Sequence, residues 1–187
     1  MGSWSLLGGF VRDEESVDAA AQRVLNELTG LGEDTYISQV GVFGEVTRDT
    51  GSRVITCAYY ALVNIANCSH ELRLASDGYW ADLDNLPPLI FDHPEIIQKA
   101  MTILRSKVGN LPIGFNLLTE NFTLKQLQDL YESILGEELD KRNFRKRVAE
   151  MPFIVKTPVK DKTGSRRGAF LYTFDSAAYE KIKRFKL

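Results

Sequence analysis

From Val17 to Leu28, apolar side chains stand at Val17, Ala20, Ala21, Val24, Leu25 and Leu28. That i, i+3, i+4 spacing places them on one helical face. Ser16 suits an N-cap and Gly30 a C-terminal stop, which predicts a helix of about three turns. The period then changes. Tyr36–Gly44 (YISQVGVFG) alternates, and Arg53–Asn64 (RVITCAYYALVN) is rich in β-branched and aromatic residues, so both predict strands. Thr47–Arg53 between them is rich in turn residues. Ile65–Glu71 is polar and predicts a loop, and Gly78–Asp82 (GYWAD) predicts a further short strand. The two prolines of Leu86–Leu89 exclude regular structure there. A second helix is predicted from Asp92 or His93, with Pro94 in its first turn and Ile96, Ile97, Ala100, Met101, Ile103, Leu104 and Val108 at helical period. Gly109–Pro112 predicts the boundary between a domain of residues 1–109 and one of residues 110–187.

The second domain carries a different pattern. Thr123 caps a predicted helix whose inner face is Leu124, Leu127, Leu130, Tyr131, Ile134 and Leu135, and Gly136 ends it. After a short turn, Asp140 caps another helix, Lys141–Met151, with Phe144, Val148 and Met151 inward. Phe153–Val159 and Ala169–Phe174 predict the strands of a hairpin. Helix, short glycine-containing turn and helix form the helix-turn-helix signature, and the hairpin after it has the place of a wing.

A chain of 187 residues is comfortable for two small domains. At 44% hydrophobic and 26% charged residues it is expected to be globular and soluble. No apolar run approaches the roughly 18 residues that span a bilayer. The start MGSWSLLGGF has no basic leader or signal-like core, so a cytoplasmic protein is expected. Cys57 and Cys68 accordingly read as free thiols, and His70 and His93 offer no zinc-like spacing with them.

Charge adds more than the net value of −2 suggests. Lys141–Leu187 holds 14 Lys+Arg against 4 Asp+Glu, a balance of +10, whereas Met1–Asp140 balances at −12. Such segregation points to a basic nucleic-acid-binding surface on an acidic body. The candidate DNA contacts are Lys141, Arg142, Asn143, Arg145, Lys146 and Arg147 on the second helix, with Thr123 and Lys125 at the start of the first. Lys160, Lys162, Arg166 and Arg167 mark the hairpin tip. Arginine and lysine are the residue types that read guanine, and asparagine reads adenine; a basic hairpin tip suits phosphates or a minor groove. A solvated basic tail is the plain alternative, but Phe144, Val148, Phe153, Ile154, Phe170, Leu171 and Tyr172 give this stretch a core of its own.

Candidate chemistry centres on Gly9–Leu31, GFVRDEESVDAAAQRVLNELTGL. The stretch resembles a Nudix box at Gly9, Glu15, Arg23, Leu25, Glu27, Gly30 and Leu31, seven of nine defining positions. Val24 and Leu28 depart from it, where the family has glutamates. Residues 24, 27 and 28 share one face of a helix, and three carboxylates there would give magnesium its hard oxygen ligands. With Glu27 alone, no metal site, no cofactor and no catalytic residue are expected.

The runs FGEVTRD, AYYALV, IFDHPEII, PIGFNLL and DKRNFRKRVAEM extend the likeness over the whole chain. They resemble Nudix-related transcriptional regulators, in which a degenerate Nudix domain precedes a C-terminal winged helix. The resemblance implies an α/β fold: a Nudix-like α/β/α sandwich, then a winged helix-turn-helix. A Nudix box usually follows two or more strands, and only eight residues precede Gly9. A sandwich lacking its first strands, and less stable for it, is therefore expected. Of two branches of such regulators, the likeness reads as closer to the L-arabinose-responsive one of Bacteroides than to the one that senses ADP-ribose and controls NAD metabolism. It implies a homodimeric repressor of sugar use, released by arabinose from a palindromic operator on double-stranded DNA.

Candidate effector contacts are Trp4, Glu27, Phe43, Arg48, Tyr59, Asp92 and His93, a set of carboxylates, basic groups and aromatic walls that suits a sugar. Each has a structural alternative: core packing for the aromatics, helix capping for Asp92, a hydrogen-bonded structural role for His93. Two rival readings stand beside this one. An ADP-ribose-responsive regulator is disfavoured by the acidic body. An active pyrophosphohydrolase would have to hold metal with Glu27 and Asp13, Glu14 or Glu15, which does not restore the helical carboxylate face.

Overall fold

The computed structural model describes residues 4–32, 35–64, 78–108, 117–163 and 167–183. Its contacts divide the chain into two compact units, Met1–Leu104 and Arg105–Leu187. The predicted boundary at Gly109–Pro112 and the predicted polar loop at 65–71 lie outside the described residues.

In the first unit, α1 spans Val17–Thr29. Ser16 Oγ accepts from Ala19 N–H, and Gly30 ends the helix in the left-handed region at φ 71°. Both signals are the ones in the sequence, because caps satisfy backbone groups that the helix itself leaves unpaired. β1 (Tyr36–Phe43) and β2 (Thr56–Leu62) pair antiparallel, from Tyr36 opposite Leu62 to Phe43 opposite Thr56, with a bulge between Gln39 and Gly41. α2 (His93–Val108) covers this ribbon. Val40, Ala58 and Ile96 form the centre of the packing, with Leu6, Phe43, Tyr60, Ala100 and Ile103 around it. The division between units falls within α2.

Gly78–Asp82 forms no strand, contrary to its sequence pattern. Tyr79 and Trp80 are about half exposed, and Tyr79 stacks edge-on against Trp4 at 4.5 Å. Asp82 instead caps a 3-10 turn at Leu83–Asn85. The run is only five residues long, its aromatic content mimics strand propensity, and among the described residues no strand pairs with it. Leu89 makes a single parallel bridge with Trp4.

In the second unit, β3 (Phe122–Thr123), β5 (Ala169–Phe174) and β4 (Ile154–Asp161) form a sheet in the order β3-β5-β4. α3 (Leu124–Leu135) and α4 (Lys141–Ala149) pack on it. Phe122, Leu127, Phe144 and Val148 are the buried centre, ringed by Tyr131, Phe153, Ile154, Tyr172 and Phe174 among others. α5 (Ser176–Lys183) follows, with Asp175 Oδ1 accepting from Ala178 N–H and Tyr179 stacked on Phe153 and Phe174. No helix among the described residues is long and apolar enough to cross a membrane.

Candidate nucleic-acid interface and effector site

The Glu27 carboxylate lies between two guanidinium groups. Arg12 Nη2 donates to its Oε1 at 3.2 Å, and Arg23 Nη1 to its Oε2 at 2.9 Å. Arg23 also grips Glu15 through Nε and Nη2, at 2.9 and 2.6 Å, and donates from Nη2 to the Phe10 carbonyl. These bonds hold the Glu15 carboxyl down to about 2, first through the Arg23 side chain and then through Arg12 N–H. Val24 packs beneath the loop: a Cβ on Gly9 would stand 2.7 Å from Val24 Cγ2.

A magnesium ion does not fit this donor set. The carboxylates of Glu15 and Glu27 already neutralise arginines, and the two positions beside Glu27 on the helix are apolar. Among the described residues no group of three His, Cys, Asp or Glu side chains is placed to hold a metal.

Arg48, Asp92 and His93 stand together, and each is engaged in holding the fold. Arg48 donates from Nε and Nη2 to the two Asp92 oxygens, at 2.8 and 2.7 Å, with its side chain only 4% exposed. The pair lowers the Asp92 pKa and raises that of Arg48. His93 Nδ1 accepts from Leu6 N–H at 3.0 Å, and burial lowers its pKa, so the neutral ring is the form the fold uses. Burial and mutual pairing make this ion pair part of the scaffold, since removing either partner would strand the other charge.

The remaining effector candidates are dispersed. Trp4 stacks on Tyr79 and is 41% exposed. Phe43 packs beside the ribbon core, with Lys99 Nζ 5.0 Å from its ring centre. The Tyr59 hydroxyl donates to Asp18 on α1, which pushes its pKa up to about 12 and ties β2 to the first turn of α1. Glu27, half exposed, and Arg12, 63% exposed, form an ion pair of the box that is open to solvent, and the sequence reasoning did not single out Arg12. Arg12 has no place in the defining box pattern, which is why the motif did not reveal it.

On α4 the geometry is simpler. Lys141, Arg142, Asn143, Arg145, Lys146 and Arg147 are all exposed, and only Phe144 and Val148 turn inward. Asp140 caps the helix by accepting from Asn143 N–H at 2.8 Å. Among the described residues none of these five cations has a carboxylate partner. A short helix with an uncompensated basic surface and a positive N-terminal dipole is suited to phosphates.

Thr123 has a different role from the contact expected of it. It is 6% exposed, and it forms a capping box with Gln126 while pairing with Leu171. Lys125 is exposed but pairs with Asp129 at 2.6 Å. Lys160, Lys162 and Arg167 are on or beside the hairpin, whereas Arg166 lies outside the described residues.

A three-stranded sheet with two capped helices and a basic hairpin defines a DNA-binding winged helix, here on the same chain as a Nudix-like unit. The family model of the NrtR DNA-binding winged helix domain matches residues 114–174. An ADPR responsive transcriptional repressor, NtrR, of Acinetobacter baylyi is 33% identical over 181 residues, covering 95% of this chain and 72% of the relative. The crystal structure of Shewanella oneidensis NrtR complexed with a 27mer DNA matches with a TM-score of 0.80 at 31% identity, over 96% of this chain and 83% of that one. An ADP-ribose pyrophosphatase of Methanocaldococcus jannaschii is 37% identical over 103 residues, 54% of this chain and 58% of that protein. The chain belongs to the NrtR family of Nudix-related transcriptional regulators. It is a DNA-binding repressor of that type, a regulator rather than an enzyme.

Proposed function

We propose that this repressor responds to ADP-ribose, binding it in the Nudix-like unit and changing its hold on an operator. The observation that carries this is a likeness to a repressor named for ADP-ribose that spans 95% of the chain and therefore both units. The partial likeness to an ADP-ribose pyrophosphatase supports the same ligand from an enzyme. Neither relative is named for a sugar, so the expectation of L-arabinose has no support and ADP-ribose replaces it. The acidic balance of the first 140 residues carries little weight against ADP-ribose: a nucleotide is held by a few local groups, and net charge speaks only to the far field.

The overwritten box fits a sensor. A sensor gains nothing from cleaving its effector, and Val24 and Leu28 remove the metal ligands that cleavage would use. Repression then depends on the relative free energies of two arrangements of the protein, of which ADP-ribose favours the one with weaker DNA affinity. A homodimer with two winged helices on a palindromic operator is the form this reading takes.

Titration calorimetry of the whole chain in EDTA against ADP-ribose and L-arabinose tests the effector. Saturable binding of ADP-ribose alone is expected, and binding of arabinose without ADP-ribose overturns the reading. Incubation of ADP-ribose with the protein and magnesium is expected to leave it intact. A turnover that Glu27→Gln abolishes would restore catalysis to the box.

A further inference from the structure

The basic tip of the hairpin drew attention in the sequence, but its flank carries the more specific geometry. In β4 and β5, Lys156 stands opposite Tyr172 and Lys160 opposite Phe170. Directly opposed residues share a face of the sheet, and so do residues two apart on one strand. Lys156, Lys160, Phe170 and Tyr172 therefore occupy one face. Tyr172 packs against the cluster that contains Phe144 and Val148 of α4. The face with the two lysines is thus the one that carries the core shared by α3 and α4, and it continues outward from that core.

Both ammonium groups converge on one ring. Lys156 Nζ lies 3.5 Å from the Phe170 ring centre and Lys160 Nζ 4.5 Å from it. Phe170 is 37% exposed, and both lysines are exposed. A ring face attracts cations through its quadrupole, and here one ring engages two ammonium groups. Asp161 does not compete for them. Strand alternation places it on the opposite face from Lys160, and its carboxylate accepts from Thr163 N–H and Oγ1. The bulge between Lys156 and Lys160 makes the convergence possible. Pro158 has no N–H for the ladder, and Thr157 Oγ1 instead donates to Leu171 O at 3.0 Å.

We propose that Phe170 is a positioning residue for DNA, holding Lys156 and Lys160 on the helix-covered side of the hairpin. Duplex backbone engaged by α4 then meets these two cations as well as the tip. The proposal rests on the winged helix binding duplex DNA, and the controls separate the two. No carboxylate pairs with either lysine among the described residues, so phosphate is the complementary charge for this surface.

The test is fluorescence anisotropy of the whole chain with a labelled duplex of mixed sequence, repeated over a range of salt concentrations. Lys156→Gln and Lys160→Gln are each expected to lower the slope of log affinity against log salt by about 0.9, the loss of one phosphate contact. Phe170→Leu keeps the apolar bulk but not the ring face, and is expected to weaken binding about two- to fivefold, with Phe170→Tyr restoring it. Arg145→Ala on α4 is the control. If it lowers the slope while both lysine variants leave the slope unchanged, this proposal is overturned alone. If none of the variants changes the slope, DNA binding by this unit falls with it. If Phe170→Leu binds as tightly as the parent chain, the positioning role of the ring is overturned; should that variant fail to fold, Phe170→Met takes its place with the same two outcomes.

Discussion

Arg48 and Asp92 meet through two short hydrogen bonds in a place where water barely reaches Arg48. Removing one partner leaves the other charge buried and unpaired, so Asp92→Asn is expected to cost about 3 kcal/mol in chemical unfolding of the first unit. The pH dependence has a definite sign. Asp92 has a lowered pKa in the fold, so its contribution is complete above the ordinary carboxylate range and is lost as pH falls through the lower folded value. His93 is also lowered, by burial, and its neutral ring accepts from Leu6 N–H. Stability should therefore decline as pH drops below the ordinary histidine value of 6.5. His93→Gln, which cannot titrate, is expected to flatten the melting temperature across that window. A melting profile with an unaltered pH step would remove His93 from the account. At the box, Gly9→Ala is expected to cost about 1 kcal/mol, because its Cβ would meet Val24 Cγ2 at 2.7 Å, and Val24→Ala in the same chain should relieve most of it. Equal additive costs in that double-mutant cycle would show that the loop moves aside.

The helices illustrate which elements a sequence announces. Ser16, Gly30, Thr123, Gly136 and Asp140 act as caps or stops where the sequence places them, because capping is a local contract between a side chain and its own backbone. Thr123 shows the limit of reading residue type as function: a polar side chain at a helix start looked like a phosphate contact, yet its hydroxyl serves Gln126 and the residue is buried where β3 pairs with β5. Thr123→Ala should therefore lower the stability of the second unit by about 1 kcal/mol and leave the salt dependence of DNA binding unchanged. A reduced salt slope would return Thr123 to the interface. α5 went unnoticed although Asp175 carried its capping signal, since the helix is only eight residues long and shows no clear apolar period. The false strand at Gly78–Asp82 failed for the opposite reason, aromatic residues that no strand among the described residues receives. Arg48 with Asp92, and Lys156 with Phe170, join positions far apart in the sequence or set by a bulge, and no local pattern encodes either.

At the scale of the molecule, the segregation of charge was legible and pointed correctly to DNA, since counting residues suffices to find a far field. The degenerate box pointed correctly away from hydrolysis. The effector was not legible, because ligand choice depends on a few side chains brought together by the fold, and several of the expected ones are engaged with each other. The account joins these pieces as a repressor whose Nudix-like unit reads ADP-ribose and whose winged helix reads DNA. Its most direct test is the affinity of the whole chain for an operator-containing duplex at fixed salt, in EDTA, with and without saturating ADP-ribose. A coupling of about 1–3 kcal/mol predicts affinity roughly 5- to 150-fold weaker with the nucleotide. Unchanged DNA affinity, with ADP-ribose shown by calorimetry to be bound, would contradict the account.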